Sequence, residues 1–150
     1  MGKNILIIGG TGLVGKVILR ILKGRNSDYK IFIGSRQAGK NRSTLVVDVN
    51  NPETFNTILE HKIDLIVMCT KDRDNEILQF AIQNGLDYLD ITKPTPDLTA
   101  AHDFAKANKL KINSRVVFAS GWMGGIVSSL VNQIEPDSAK IQETNLYIYY

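Results

Sequence analysis

The spacing of apolar positions changes repeatedly along the chain. Residues 4–9, NILIIG, carry the continuous apolar run Ile5–Ile8, rich in β-branched side chains, which predicts a strand buried on both faces. From Leu13 the spacing becomes helical. Leu13, Val14, Val17, Ile18, Ile21 and Leu22 make one stripe, which Gly24 can end. The same alternation recurs downstream. Strands are predicted over 29–35, 43–49, 63–70, 86–91 and 115–120, and again over the last seven residues, TNLYIYY. Helices are predicted from Pro52 to Leu59, from Asp74 to Asn84 with Gly85 as cap, from Thr95 to about residue 108, and over 125–134. No internal repeat or low-complexity linker interrupts the pattern.

Strands with near-continuous apolar runs, separated by helices, predict a mostly parallel sheet covered on both faces. Right-handed crossovers then give an α/β fold, doubly wound, in three α/β/α layers. Residues 1–135 account for one such domain. Residues 136–150 read as a linker and strand leading toward a further domain that is absent from this chain.

Composition narrows the function classes. The 18 basic side chains form no run and exceed the acidic ones by only three, which argues against nucleic acid and favours a small bound anion. A single cysteine, Cys69, precludes an internal disulfide and suits a reducing cytoplasm, the expected location. Lys3 is the only charged residue before the first, very short apolar run, which is not a signal-peptide pattern, and no apolar run approaches a membrane span, so no membrane partner is expected.

The strongest local signal is Gly10-Thr11-Gly12-Leu13-Val14-Gly15, between the first strand and the first helix. Gly10 is placed to make the tight turn, Gly12 to let a pyrophosphate approach the backbone, and Gly15 to let helix and strand pack closely. The phosphates meet free N–H groups at the positive end of the helix. In that strand–turn–helix context the pattern predicts a dinucleotide site of the Rossmann type. At the end of the second strand, where an NAD site usually carries a carboxylate, the chain reads Gly34-Ser35-Arg36, with Lys40 and Arg42 nearby. A guanidinium there can fork onto a 2′-phosphate, so NADP is the expected cofactor in preference to NAD. Asp48 and Val49 end the third strand. They either meet the adenine, or Asp48 caps the following turn.

Four stretches, GGTGLVG, GSR, GLDYLDIT (85–92) and VVFASGWMGGIVSSL (116–130), resemble the saccharopine dehydrogenase family. Tyr88-Leu89-Asp90 matches its Y-x-D stretch, and the resemblance runs over essentially the whole chain. Gly124 departs from the family, which has proline before the position of Gly125. The resemblance implies an NAD(P)-dependent oxidoreductase that transfers hydride at a carbon–nitrogen bond of an amino-acid-like substrate. It also implies a substrate domain beyond the Rossmann domain, without which this chain alone is expected to be inactive.

Further candidates lie at the carboxyl ends of the strands, where ligands of such sheets bind. Cys69, Thr70 and Thr92 are expected against the cofactor. Lys93 and Asp90 are candidates for proton transfer, or a solvated lysine and a structural cap. Trp122 and Met123 either cover the nicotinamide or pack on the further domain, and an apolar patch left bare would favour a homodimer. Cys69 has no evident basic partner, which argues against a nucleophile, His61 and His102 read as surface histidines, and no metal-ligand spacing appears. The alternative from another class is a non-enzymatic NADP(H) redox sensor, or an atypical short-chain reductase-like regulator. Tyr88 and Lys93 are five apart, which fails the Tyr-x-x-x-Lys spacing of a short-chain enzyme.

Overall fold

A computed structural model describes residues 2–25, 28–39, 41–93, 95–108 and 113–118. Among the described residues six strands form one sheet: β1 (Asn4–Ile8), β2 (Lys30–Ser35), β3 (Thr44–Val46), β4 (Leu65–Met68), β5 (Asp87–Asp90) and β6 (Val116–Phe118), in the order β3-β2-β1-β4-β5-β6. All five pairings are parallel. This is the doubly wound Rossmann arrangement. The chain starts in the middle of the sheet, builds outward to β3, and returns to the other side of β1 for β4 to β6. The reversal puts the switch point between β1 and β4, where the carboxyl ends splay and a ligand can enter.

Period-two alternation divides the core between the two faces. Leu6 and Ile8 point to one face, where they join Phe32, Ile66, Met68 and Tyr88 under α3 (Glu76–Gln83) and α4 (Thr95–Ala107). A 3-10 turn (Pro52–Phe55) running into α2 (Asn56–Glu60) covers the same face through Phe55 and Ile58. Ile5, Ile7 and Val67 point to the other face, onto Ile18, Leu19 and Leu22 of α1 (Leu13–Arg25).

Three departures from the sequence pattern have physical reasons. Ile18 and Leu22 of the predicted α1 stripe pack on the sheet, whereas Leu13, Val14, Val17 and Ile21 stay at least 40% exposed. The apolar stripe is wider than the strip of helix that touches the sheet. Strand β3 is three residues long, not seven, because Asp48 turns the chain. Its carboxylate accepts the Asn50 N–H at 3.0 Å, and its own N–H donates to the Thr54 hydroxyl at 2.9 Å. Such local bonds compete with a ladder. The segment after Pro52 starts as a 3-10 turn, capped by the Asn51 side chain on the Glu53 N–H. The predicted helix over 125–134, the strand over 144–150 and the domain boundary at 135 lie outside the described residues.

Candidate functional site

A cleft of about 1010 Å³ opens at the carboxyl ends of β1, β2, β3 and β4. The turn after β1 supplies Gly9, Thr11 and Gly12; β2 and its loop supply Gly34, Ser35, Arg36 and Gln37. Val47, Val49 and Asn50 come from the end of β3, and Cys69, Thr70, Lys71 and Arg73 from the end of β4. Among the described residues its lining contains no carboxylate and three cations.

The glycines divide into three roles. The residue with left-handed backbone is Gly9, at φ 86°, so the tight turn belongs to Gly9 and not, as expected from the motif, to Gly10. Gly9 also packs tightly: a Cβ there would lie 2.8 Å from the Cys69 carbonyl oxygen. A Cβ on Gly10 would press on the Ile33 side chain at 3.1 Å. At Gly15 a Cβ would fall 2.6 Å from the Gly10 Cα and nearer still to the Gly9 carbonyl, so absence of a side chain there lets α1 seat on the turn. Gly12 differs. Its N–H donates to the Gly9 carbonyl at 3.0 Å, and apart from that carbonyl oxygen at 3.2 Å a Cβ on it would meet only open space.

That open face borders the first turn of α1, which carries no acidic residue. Gly12 has no side chain to cap the helix, so the first-turn N–H groups of Leu13, Val14 and Gly15 have no intrahelical partners. Leu13 and Val14, expected against the cofactor, are not among the residues that line the cleft, nor are Gly10 and Gly15. A site with free N–H groups, a bare Gly12 and three cations fits the pyrophosphate of a dinucleotide.

Thr11, Gly12, Ser35, Arg36, Val49, Cys69 and Thr70 are thus brought together in one cleft. Asp48 is turned into the Asn50 turn, and Thr92 sits behind the wall with its hydroxyl on the Asp90 carboxylate at 2.8 Å and the Thr70 carbonyl at 3.2 Å. Lys40, Trp122 and Met123 lie outside the described residues. Gly9, Gly34, Gln37, Asn50, Lys71 and Arg73 line the cleft without having been candidates. Gly9 could have been found from its place directly after an apolar strand.

Lys93 and Asp90 do not reach the cleft. They form a buried network beneath the β4 and β5 ends, with side chains 3% and 0% exposed. The Lys93 ammonium lies 3.4 Å from Asp90 Oδ2 and donates to the Asp72 carbonyl at 2.8 Å. The Tyr88 hydroxyl donates to the same Asp90 oxygen at 2.9 Å, and the Thr92 N–H to the other oxygen at 2.7 Å. Burial, with the Asp90 and Asp72 charges beside it, pushes the Tyr88 phenol far above its usual range. Burial also raises Asp72, against the Leu78 N–H that its carboxylate accepts at 3.2 Å. Burial, helped by the Asp90 charge, pushes the Cys69 thiol up to about 11, the opposite of what a nucleophile needs.

His102 is exposed, whereas His61 is half-buried, its ring edge-on to Phe32 and bonded to the Thr57 carbonyl at 2.9 Å. Among the described residues no group of three potential metal ligands is present, and no helix is long and apolar enough to cross a membrane.

Fold, glycine turn and cleft define a Rossmann domain built for an NAD(P) dinucleotide. Residues 5–116 match the saccharopine dehydrogenase NADP binding domain, and the chain belongs to that family. Comparison with curated proteins gives no match. Among solved structures, dTDP-glucose 4,6-dehydratase from Bacillus anthracis in complex with NAD is similar at TM-score 0.61 and 16% identity, over 78% of this chain and 54% of that one. A meso-DAPDH mutant with DAP from Clostridium tetani is similar at 0.59 and 16%, over 89% and 42%. Aspartate dehydrogenase from Thermotoga maritima is similar at 0.54 and 19%, over 91% and 52%. The chain spans about half the length of these structures, and at such identities the likeness is one of fold.

Proposed function

We propose that this chain is the NADP(H)-binding part of an oxidoreductase of the saccharopine dehydrogenase type. Such an enzyme transfers hydride at a carbon–nitrogen bond of an amino-acid-like substrate, bound by a further domain. The observation that carries the cofactor preference is Arg36 at the end of β2, in a cleft whose described lining has no carboxylate to repel a 2′-phosphate. The N–H groups at the start of α1 hold the pyrophosphate, Gly12 admits it, and Val47 and Val49 give the adenine an apolar seat. The cofactor when bound supplies the hydride; the protein orients it and excludes water. Family membership supports the reaction class, and the substrate class extends from it.

The test is calorimetry with NADPH and NADH on the wild-type protein and on Arg36→Ala. A charge-assisted contact contributes about 1.5–3 kcal/mol, so NADPH is expected to lose roughly tenfold to hundredfold in affinity while NADH is nearly unaffected. Equal wild-type affinities for the two cofactors overturn the preference. A second reading, a dinucleotide sensor without catalysis, draws on the described cleft lining, which has no imidazole, phenol or carboxylate. Turnover of a secondary amine with NADP⁺ by the protein in its natural length excludes the sensor.

A further inference from the structure

We propose that Lys71 and Arg73, in the loop between β4 and α3, form a second cationic grip that closes on the pyrophosphate of the dinucleotide from the side opposite Arg36. The proposal rests on the dinucleotide reading above and adds binding residues to it. Both side chains are exposed and line the cleft, and among the described residues neither pairs with a carboxylate. Two exposed cations without a carboxylate partner, beside a turn already suited to a phosphate, are available to an anion seated there.

Their position selects which phosphate they meet. Strand β1, with the glycine turn at its end, lies between β2 and β4. Arg36 follows β2 and serves the adenosine side. Lys71 follows β4 on the other side, and the glycine turn rests directly on that strand end. A Cβ at Gly9 would lie 2.8 Å from the Cys69 carbonyl oxygen and 3.1 Å from the Thr70 nitrogen. Lys71, the next residue after Thr70, therefore stands beside an anion that sits on the glycine turn.

The loop is also braced from behind. The Thr92 hydroxyl bonds to the Thr70 carbonyl at 3.2 Å and the buried Lys93 ammonium to the Asp72 carbonyl at 2.8 Å. Asp72, 3% exposed, turns inward onto the Leu78 N–H, which leaves its two neighbours in sequence facing out. Holding the inward residues fixed pre-organises the outward cations and lowers the ordering cost of binding.

NADH and NADPH share the pyrophosphate and differ in the 2′-phosphate. The double variant Lys71→Ala/Arg73→Ala is therefore expected to lose affinity for both by the same factor, about tenfold or more, in contrast to Arg36→Ala. Its binding is expected to weaken less with added salt, because fewer exposed ion pairs remain to be screened. Lys71→Arg/Arg73→Lys, which keeps the charges, is expected to retain most of the affinity. Thermal melts of all variants check that the fold is intact. Wild-type affinity in the double alanine variant overturns the proposal, as does a loss confined to NADPH. A wild-type protein that binds neither dinucleotide overturns the dinucleotide reading itself.

Discussion

Lys93→Met tests whether the buried network supports the cleft wall. Methionine keeps most of the apolar stem and removes the ammonium. Asp90, whose side chain is fully buried, loses the cation 3.4 Å away, and the Asp72 carbonyl loses a donor at 2.8 Å. Breaking a buried pair by removing one partner costs about 3–5 kcal/mol, because a charge is left without compensation. Asp90 retains the Tyr88 hydroxyl and both donors of Thr92, which partly offset that loss, so the low end applies. At about 2–4 °C per kcal/mol for a chain of this size, the melting temperature is expected to fall by roughly 6–12 °C. The pair Lys93→Met/Asp90→Asn removes the stranded charge as well, and is expected to recover a substantial part of the loss. Urea denaturation of the wild type, both single variants and the double variant gives the coupling energy. If Lys93→Met melts with the wild type, or the double variant is no more stable than the single, the network is not holding the wall.

Gly12→Val is expected to abolish dinucleotide binding with little change in far-ultraviolet circular dichroism, since a Cβ there would press only on the Gly9 carbonyl oxygen, at 3.2 Å. Gly15→Val is expected to melt far lower, because its Cβ would collide with the turn backbone. The reverse order refutes both assignments. With its thiol at about 11, Cys69 is expected to react with iodoacetamide at pH 8 roughly a hundredfold more slowly than a free cysteine, whose thiol ionises near ~8.5, and to speed up through pH 10. Asp87, hydrogen-bonded by the Arg115 guanidinium, is held at about 2 against its ordinary 3.8. A lowered carboxyl contributes its stability above the unfolded value and loses it as pH falls from 3.8 toward 2. The contribution is small because Arg115 is exposed. Carboxyl NMR is expected to show Asp87 titrating near 2 in the wild type and nearer 3.8 in Arg115→Gln.

Most of the fold was legible because periodicity reports burial directly. Residues 4–9 have to be a doubly buried strand, and six such strands alternating with helices leave few arrangements besides a parallel sheet. Boundaries failed where a side chain competes locally with the ladder. In the run from Leu45 to Val49 the apolar pattern passes through Asp48, and a carboxylate that bonds a turn N–H ends the strand while apolar residues continue. The glycine motif identified its neighbourhood and misplaced its turn, since Gly9 and Gly10 differ only in the backbone angle that each position demands.

The site divided along the same line. Thr11, Gly12, Ser35 and Arg36, which the structure gathers in one cleft, were each placed by a few residues of local sequence around a strand end. Lys93 was not, because its environment is made by partners distant in the chain. The Asp72 carbonyl is 21 positions away, and only the β4–β5 pairing brings the two loops together. In sequence Lys93 stands before Pro94 and Thr95 and reads as a polar loop lysine, free to reach a substrate. In the fold the same ammonium is sealed among Asp90, Tyr88 and Asp72, where it neutralises a buried carboxylate and cannot touch the cleft. The lysine that can touch it, Lys71, stands in a stretch of alternating charge that carries no motif. Its placement follows from two strand ends meeting at Gly9. A charged residue near a strand end is therefore a candidate in sequence, and which way it faces is decided by whether a buried partner of opposite sign waits behind the wall.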